Sequence, residues 1–198
     1  MIGCLYMHKK PIITIAGSLG SGKSSTANRI AEILGYSRAS TGDFSRAIAD
    51  SRGISLGELN ALAETDPSID IELDNLNRSV GEKQNVVLDS RLGFYFVPDS
   101  FKVFLKVDPS VAAERILNDA KVNPNRQKEV LGGFDSAESV IKGITERRAS
   151  EKKRYQEAYG IADNTAPENF DLVIDTAVMP LEEVAQKIVL AYNNWRAS

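Results

Sequence analysis

Gly17-Ser18-Leu19-Gly20-Ser21-Gly22-Lys23-Ser24 is the stretch from which the rest of the chain can be read. It meets the pattern G-x-x-x-x-G-K-[ST] at every position. The run before it, Pro11 to Ala16, is β-branched and apolar, as a buried strand requires. After it, Ser25 to Leu34 places Ala27, Ile30, Ala31 and Leu34 on one helical face, and Gly35 supplies a stop. A strand, a glycine loop and a helix in that order surround a phosphate chain with backbone N–H groups and a helix N-terminus. Gly17, Ser18, Leu19, Gly20, Ser21, Gly22, Lys23, Ser24 and Ser25 are therefore the expected nucleotide-binding residues. Lys23 is expected to reach the β- and γ-phosphates, with the Ser24 hydroxyl on Mg²⁺. A nucleoside triphosphate, ATP, is the expected ligand.

Bulk properties narrow the remaining possibilities. The 198 residues suffice for one full α/β core and are too few for two ordinary domains. Hydrophobic residues make up 42% and charged residues 26%, and the net charge of −3 offers no global footprint for nucleic acid or an anionic membrane. Cys4 is the only cysteine, so a disulfide framework and a CxxC metal knuckle are excluded and a cytoplasmic location is expected. His8 is the only histidine, which removes Ser-His-Asp catalysis. No apolar run approaches a membrane span, and Met1 to Met7 reads as a frayed tail.

Beyond the loop, strands and helices alternate. A second strand is expected near Tyr36 to Ala39, then a helix capped by Thr41 and running to Arg52. Ser55 and Glu58 form a capping box for a short helix through about Glu64. Pro67 opens a third helix carrying Ile69, Leu73, Leu76 and Val80. Three helices make too long an insertion for a plain crossover. Further strands are expected at Asn85–Asp89, Phe101–Asp108 and Leu172–Asp175, with helices over Val111 to about Asp119, Ser136 to about Tyr159 and Leu181–Trp195. Lys121 to Phe134 is polar and aperiodic and reads as a mobile exposed segment. The fold class is α/β: a three-layer sandwich of P-loop type, with a mostly parallel central sheet and helices on both faces.

Arginines mark the chemistry. Arg91 lies two residues beyond Asp89, at a strand end where ligands of such sheets sit, and Arg46 lies in the first helix of the insertion. More arginines lie in the late polar helix. No N-K-x-D element is present, which argues against a guanine-specific switch. Phosphoryl transfer between two anions relies on positioning and on cations, and guanidinium forks suit phosphate. Shikimate or a nucleoside carries no phosphate and would leave two such arginines surplus. A non-catalytic, nucleotide-switched regulator is the rival of another class.

These residues resemble the nucleoside monophosphate kinases and, within them, the short cytidylate kinases, from about Ile12 to Trp195. Thr41-Gly42-Asp43-Phe44-Ser45-Arg46 is similar to the family's S/T-G-x-hydrophobic-aromatic-R element, and Asp89-Ser90-Arg91 to its D/E-G-R element. Arg148-Ala149-Ser150-Glu151-Lys152-Lys153-Arg154 is similar to its lid pattern R-x-x-[DE]-x-x-R. Ser45 and Ser90 depart from these patterns. The resemblance implies that Arg46 and Arg91 grip the acceptor phosphate and that Asp89 stands near Mg²⁺. It also implies that Arg148 and Arg154, with Lys23, stabilise the transferring group. It further implies one domain over 1–198, with an acceptor-binding insertion at about 40–82 and a lid at about 119–155. CMP or dCMP is the implied acceptor, and a monomer with no nucleic-acid or membrane partner is expected. A carboxylate that accepts from the cytosine amino group would select that base over uracil, and Asp43, Asp66, Asp70 and Asp74 are all candidates, with Asp43 and Asp70 placed among the expected acceptor-binding residues. Ser40 and Thr41 could add hydroxyl contacts.

Overall fold

The computed structural model describes residues 9–122 and 136–198. Cys4, His8, the leading tail and most of the Lys121–Phe134 segment lie outside them.

Five strands form one parallel sheet: β1 (Ile12–Gly17), β2 (Ser37–Ser40), β3 (Val86–Asp89), β4 (Phe101–Lys106) and β5 (Leu172–Asp175). Their spatial order is β2-β3-β1-β4-β5, with every pairing parallel. All six residues of β1 and all four of β3 are buried, which is why both read as mainly apolar runs, broken by Thr14 and ended by Asp89, and not as alternations. The strand ends Gly17, Ser40 and Asp89 come together at the carboxyl edge of the sheet, where ligands of open α/β sheets bind.

Helices cover both faces. On one, α1 (Lys23–Leu34) and the C-terminal α8 (Leu181–Ala197) pack Ala27, Ile30, Val184 and Ile188 onto Ile13, Ile15, Val103 and Leu105. On the other, the short α5 (Gly93–Phe96) and Tyr155 of α7 (Ala137–Tyr159) join Ile12, Val86 and Leu88. The outer layers thus agree with the expected sandwich.

Between β2 and β3 the chain forms α2 (Thr41–Ser51), α3 (Leu56–Ala63) and α4 (Pro67–Ser79). The Ser55–Glu58 capping box is present and Pro67 opens α4 as expected. The cap of α2 is Ser40, whose hydroxyl accepts from Gly42 N, and Thr41 is the first helical residue. Ile48, Ala49, Leu59 and Ile69 give these three helices a small core of their own. After β4, α6 spans Pro109–Val122, starting two residues earlier than expected because proline is tolerated where an N–H has no helical partner. Residues of α6 and α7 share a fourth cluster around Ala113, Ile116 and Val140. Among the described residues, no helix is long and apolar enough to cross a membrane.

Candidate functional site

The glycine loop hangs between β1 and α1, against β4. A Cβ on Gly17 would lie 2.4 Å from the Leu105 carbonyl oxygen and 2.8 Å from Ser21 Oγ, so only glycine lets the loop leave the strand this closely. Gly20 has φ +77° and sits against Ala112 of α6, where a side chain would meet strain and collision together. Ser21 Oγ is buried without a hydrogen-bond partner among the described residues. Gly17, Ser18 and Leu19 line one wall of a cleft; Arg91, Arg147, Arg148 and Glu151 line it too.

Lys23, the first residue of α1, lies within electrostatic reach of Arg91 and Arg147. Burial pushes its ammonium down to about 8, and the charges of Arg91 and Arg147 add to the effect while Asp89 and Glu151 oppose it. Beside Lys23 the Ser24 hydroxyl donates to Asp89 Oδ2 at 2.6 Å. One hydroxyl and one carboxylate on adjacent element ends suit a hard cation that keeps phosphate and water as its other ligands. Among the described residues no group of three or more His, Cys, Asp or Glu side chains converges on a point.

The arginines divide between the two sides of Asp89. Arg91 Nε lies 3.2 Å from Glu151 Oε2, and Arg147 Nε donates to Glu151 Oε1 at 2.9 Å. Glu151 thus holds two guanidinium groups at the cleft, with 16% of its side chain exposed. Arg148 donates to the Thr165 hydroxyl at 2.9 Å, which in turn donates to Asp163. Arg154 is not with them. It lies over the Tyr155 ring at 5.6 Å, and its charge is felt by Asp70 of α4. The structure therefore brings Arg91 and Arg148 to one cleft, with Lys23 in electrostatic reach of Arg91, and sets Arg154 toward Asp70 of the insertion.

On that side Asp43 faces Arg46 at 2.5 Å and Arg38 at 2.8 Å. Burial raises the Asp43 carboxyl, but Arg46 and Arg38 outweigh it and hold the group below the ordinary carboxylate range. Thr41 Oγ1 donates to the buried Asn77, and Asp66 accepts from Ser68 N as the cap of α4, so both serve the insertion itself. Asp70 and Asp74 lie one turn apart on α4. Tyr159 OH donates to Asp74 Oδ1 at 2.9 Å, and burial raises the Asp74 carboxyl above its usual range. Arg78 lies over Tyr95 and Phe96, which with Tyr159 form an aromatic group beside Asp74.

Four participants were not singled out from sequence: Arg38, Arg147, Glu151 and Tyr159, the partner of the candidate Asp74. Arg147 and Glu151 are spaced i,i+4 and read as a solvated helix pair; nothing local says that Glu151 turns inward to Arg91. Arg38 lay in a strand too short to characterise. Its only signal was a charge two residues before a strand end.

Residues 12–178 match the model of the cytidylate kinase-like family. A cytidylate kinase of Methanopyrus kandleri is 36% identical over 177 residues, covering 84% of each chain. An S-adenosylmethionine-dependent nucleotide dehydratase of Lacinutrix mariniflava is 35% identical over 190 residues, which make up 95% of this chain and 37% of that protein. The chain thus spans little more than a third of that relative. A shikimate kinase of Bacteroides thetaiotaomicron, 13% identical, superposes with a TM-score of 0.64 over 93% of this chain and 98% of its own. At that identity the likeness concerns the fold.

Proposed function

The chain belongs to the cytidylate kinase-like family, and from that premise we propose that it transfers the γ-phosphoryl group of ATP to CMP or dCMP. An oxygen of the acceptor's phosphate attacks the γ-phosphorus, the bond from that phosphorus to the bridging oxygen of ADP breaks, and CDP or dCDP leaves with ADP. The convergence of Arg91, Arg147 and Arg148 on one cleft beside the glycine loop, with Lys23 close enough to feel Arg91 and Arg147, carries this reading. Three guanidinium groups outnumber Glu151, the carboxylate that lines the cleft with them, and a transferring phosphoryl group spreads negative charge where they converge.

In this reading the backbone of Gly17 to Gly22 cradles the triphosphate and Lys23 neutralises its outer phosphates. Ser24 and Asp89 hold Mg²⁺, which when bound offsets the charge shared between the β- and γ-phosphates. Arg91 and Arg148, with Arg147, surround the reacting group. Arg46 grips the acceptor phosphate from α2, and Arg154 approaches the acceptor from α7. Asp74, oriented by the Tyr159 hydroxyl, and Asp70 one turn earlier are the carboxylates that suit the cytosine amino group. The chain from 1 to 198 then acts as one kinase domain, with α2–α4 as the acceptor insertion and α6–α7 as the lid.

Mixing the protein with ATP, Mg²⁺ and CMP and separating the nucleotides by chromatography tests the reaction itself. CDP and ADP formed in equal amounts support it. ADP and free phosphate without CDP would make the protein a nucleotide hydrolase or switch.

A further inference from the structure

Arg38 sits on β2, an edge strand of the sheet, two residues before Ser40, which registers with Asp89. Side chains alternate along a strand, so Arg38 leaves the sheet on the same face as Ser40. A charged residue on an edge strand commonly points to water. This one turns inward, with 23% of its side chain exposed and its Nε buried without a hydrogen-bond partner. Its two ends reach two carboxylates, Nη1 at 2.8 Å from Asp43 Oδ2 and Nη2 at 3.5 Å from Asp89 Oδ2. Each carboxylate is shared in turn: Asp89 Oδ2 accepts from Ser24 at 2.6 Å, and Asp43 Oδ1 meets Arg46 at 2.5 Å. Ser24, Asp89, Arg38, Asp43 and Arg46 thereby form one unbroken line from the first turn of α1 to α2.

We infer that Arg38 is a positioning residue for the acceptor phosphate, neutralising Asp43 so that Arg46 can turn to that phosphate, and tying this arm to Asp89. The inference rests on the kinase reading above. An aspartate beside a phosphate grip repels the phosphate and competes for the gripping guanidinium. Arg46 cannot give both oxygens of Asp43 and an incoming phosphate its full attention; a second guanidinium supplies the compensating charge. A planar fork spans two carboxylates, whereas a lysine ammonium is a single point charge. The same fork reaches Asp89, which joins the acceptor arm to the carboxylate beside Ser24.

The test measures CMP binding by titration calorimetry alongside KM for CMP and for ATP, with folding checked by thermal melting. Arg38→Met is expected to weaken CMP binding and raise its KM about tenfold, the scale of one charge-assisted hydrogen bond, while KM for ATP moves much less. Adding Asp43→Asn removes the charge that Arg38 compensates and is expected to return most of the lost CMP affinity. A merely structural defect in β2 would not be repaired by changing Asp43. Unchanged CMP affinity in folded Arg38→Met overturns the inference, as does a double variant no better than the single one. If Arg38→Met does not fold, Arg38→Lys carries the same test: it keeps the charge but loses the span, so CMP affinity falls less and Asp43→Asn again improves it. A fall absent from Arg38→Lys then overturns the spanning role. Wild-type protein that binds CMP but forms no CDP contradicts the kinase reading, and the binding series still decides the role of Arg38.

Discussion

The glycine-loop side of the molecule and the helical insertion are built differently. The side with the glycine loop rests on β1, buried along its whole length and flanked by β3 and β4, and on a core closed by α1 and α8. The insertion of α2–α4 closes around four buried residues, Ile48, Ala49, Leu59 and Ile69, and leaves Leu62 and Ile71 44% and 59% exposed. Polar contacts such as Arg38–Asp43 and Tyr159–Asp74 tie it to the rest. A loop whose N–H groups must point at one phosphate chain needs a fixed backbone, and apolar burial supplies it. A module that must admit and release an acceptor is better held by ion pairs, whose partners an incoming anion can exchange.

The sharpest way to break this comparison is at Lys23. Lys23→Met is expected to cut kcat roughly 10³-fold, the scale for removing a group aimed at developing charge, with the melting temperature unchanged or raised because a buried cation is gone. Retained turnover would detach the glycine loop from the chemistry. Next in size is a matched pair of truncations. Ile188→Ala in the main core and Leu59→Ala in the insertion each remove a fully buried side chain, worth about 2–5 kcal/mol. Ile188→Ala is expected to lower the main thermal transition, whereas Leu59→Ala loosens the insertion and weakens CMP binding more than ATP binding. Equal losses of both ligands in Leu59→Ala would mean that the two regions behave as one.

How much of this was legible in the sequence follows the same division. The glycine loop, β3, β5 and the face of α1 that carries Ala27, Ile30 and Ala31 are set by local periodicity and a strict motif, and they stand where expected. The short α5 had no signal, because one turn around Phe94 and Tyr95 is held by packing and not by propensity. The arginine geometry was only half legible. Residue types and position pointed to Arg46 and Arg91, and the family resemblance to Arg148, but the direction in which a long helix turns depends on what it packs against. That is why Arg147 joins the cleft while Arg154 faces α4, and why the inward turn of Arg38 was hidden.

Smaller effects sharpen the contrast. Arg46→Ala is expected to raise KM for CMP by about tenfold or more, the value of a charge-assisted phosphate contact, with ATP affinity nearly intact. Equal losses for both nucleotides would remove Arg46 from the acceptor side. The smallest effect is in pH. Lys23 titrates near 8 without nucleotide, and a bound triphosphate favours its charged form, so binding takes up a proton once the pH exceeds that value. ATP affinity is then expected to be flat with respect to this group below pH 8 and about tenfold weaker at pH 9, from the one-unit distance above its pKa. Calorimetry in buffers of different ionisation enthalpy reads the proton directly, and proton release or no exchange at pH 9 would contradict the sign.

The central claim is the acceptor, and steady-state turnover across CMP, dCMP, UMP, AMP, GMP and shikimate in an ATP-coupled ADP-release assay tests it most directly. A kcat/KM for CMP or dCMP at least about tenfold above every other acceptor is the predicted result, the scale of discrimination that one base-edge contact supplies. Turnover led by another acceptor, or none stimulated by any of them, would contradict it.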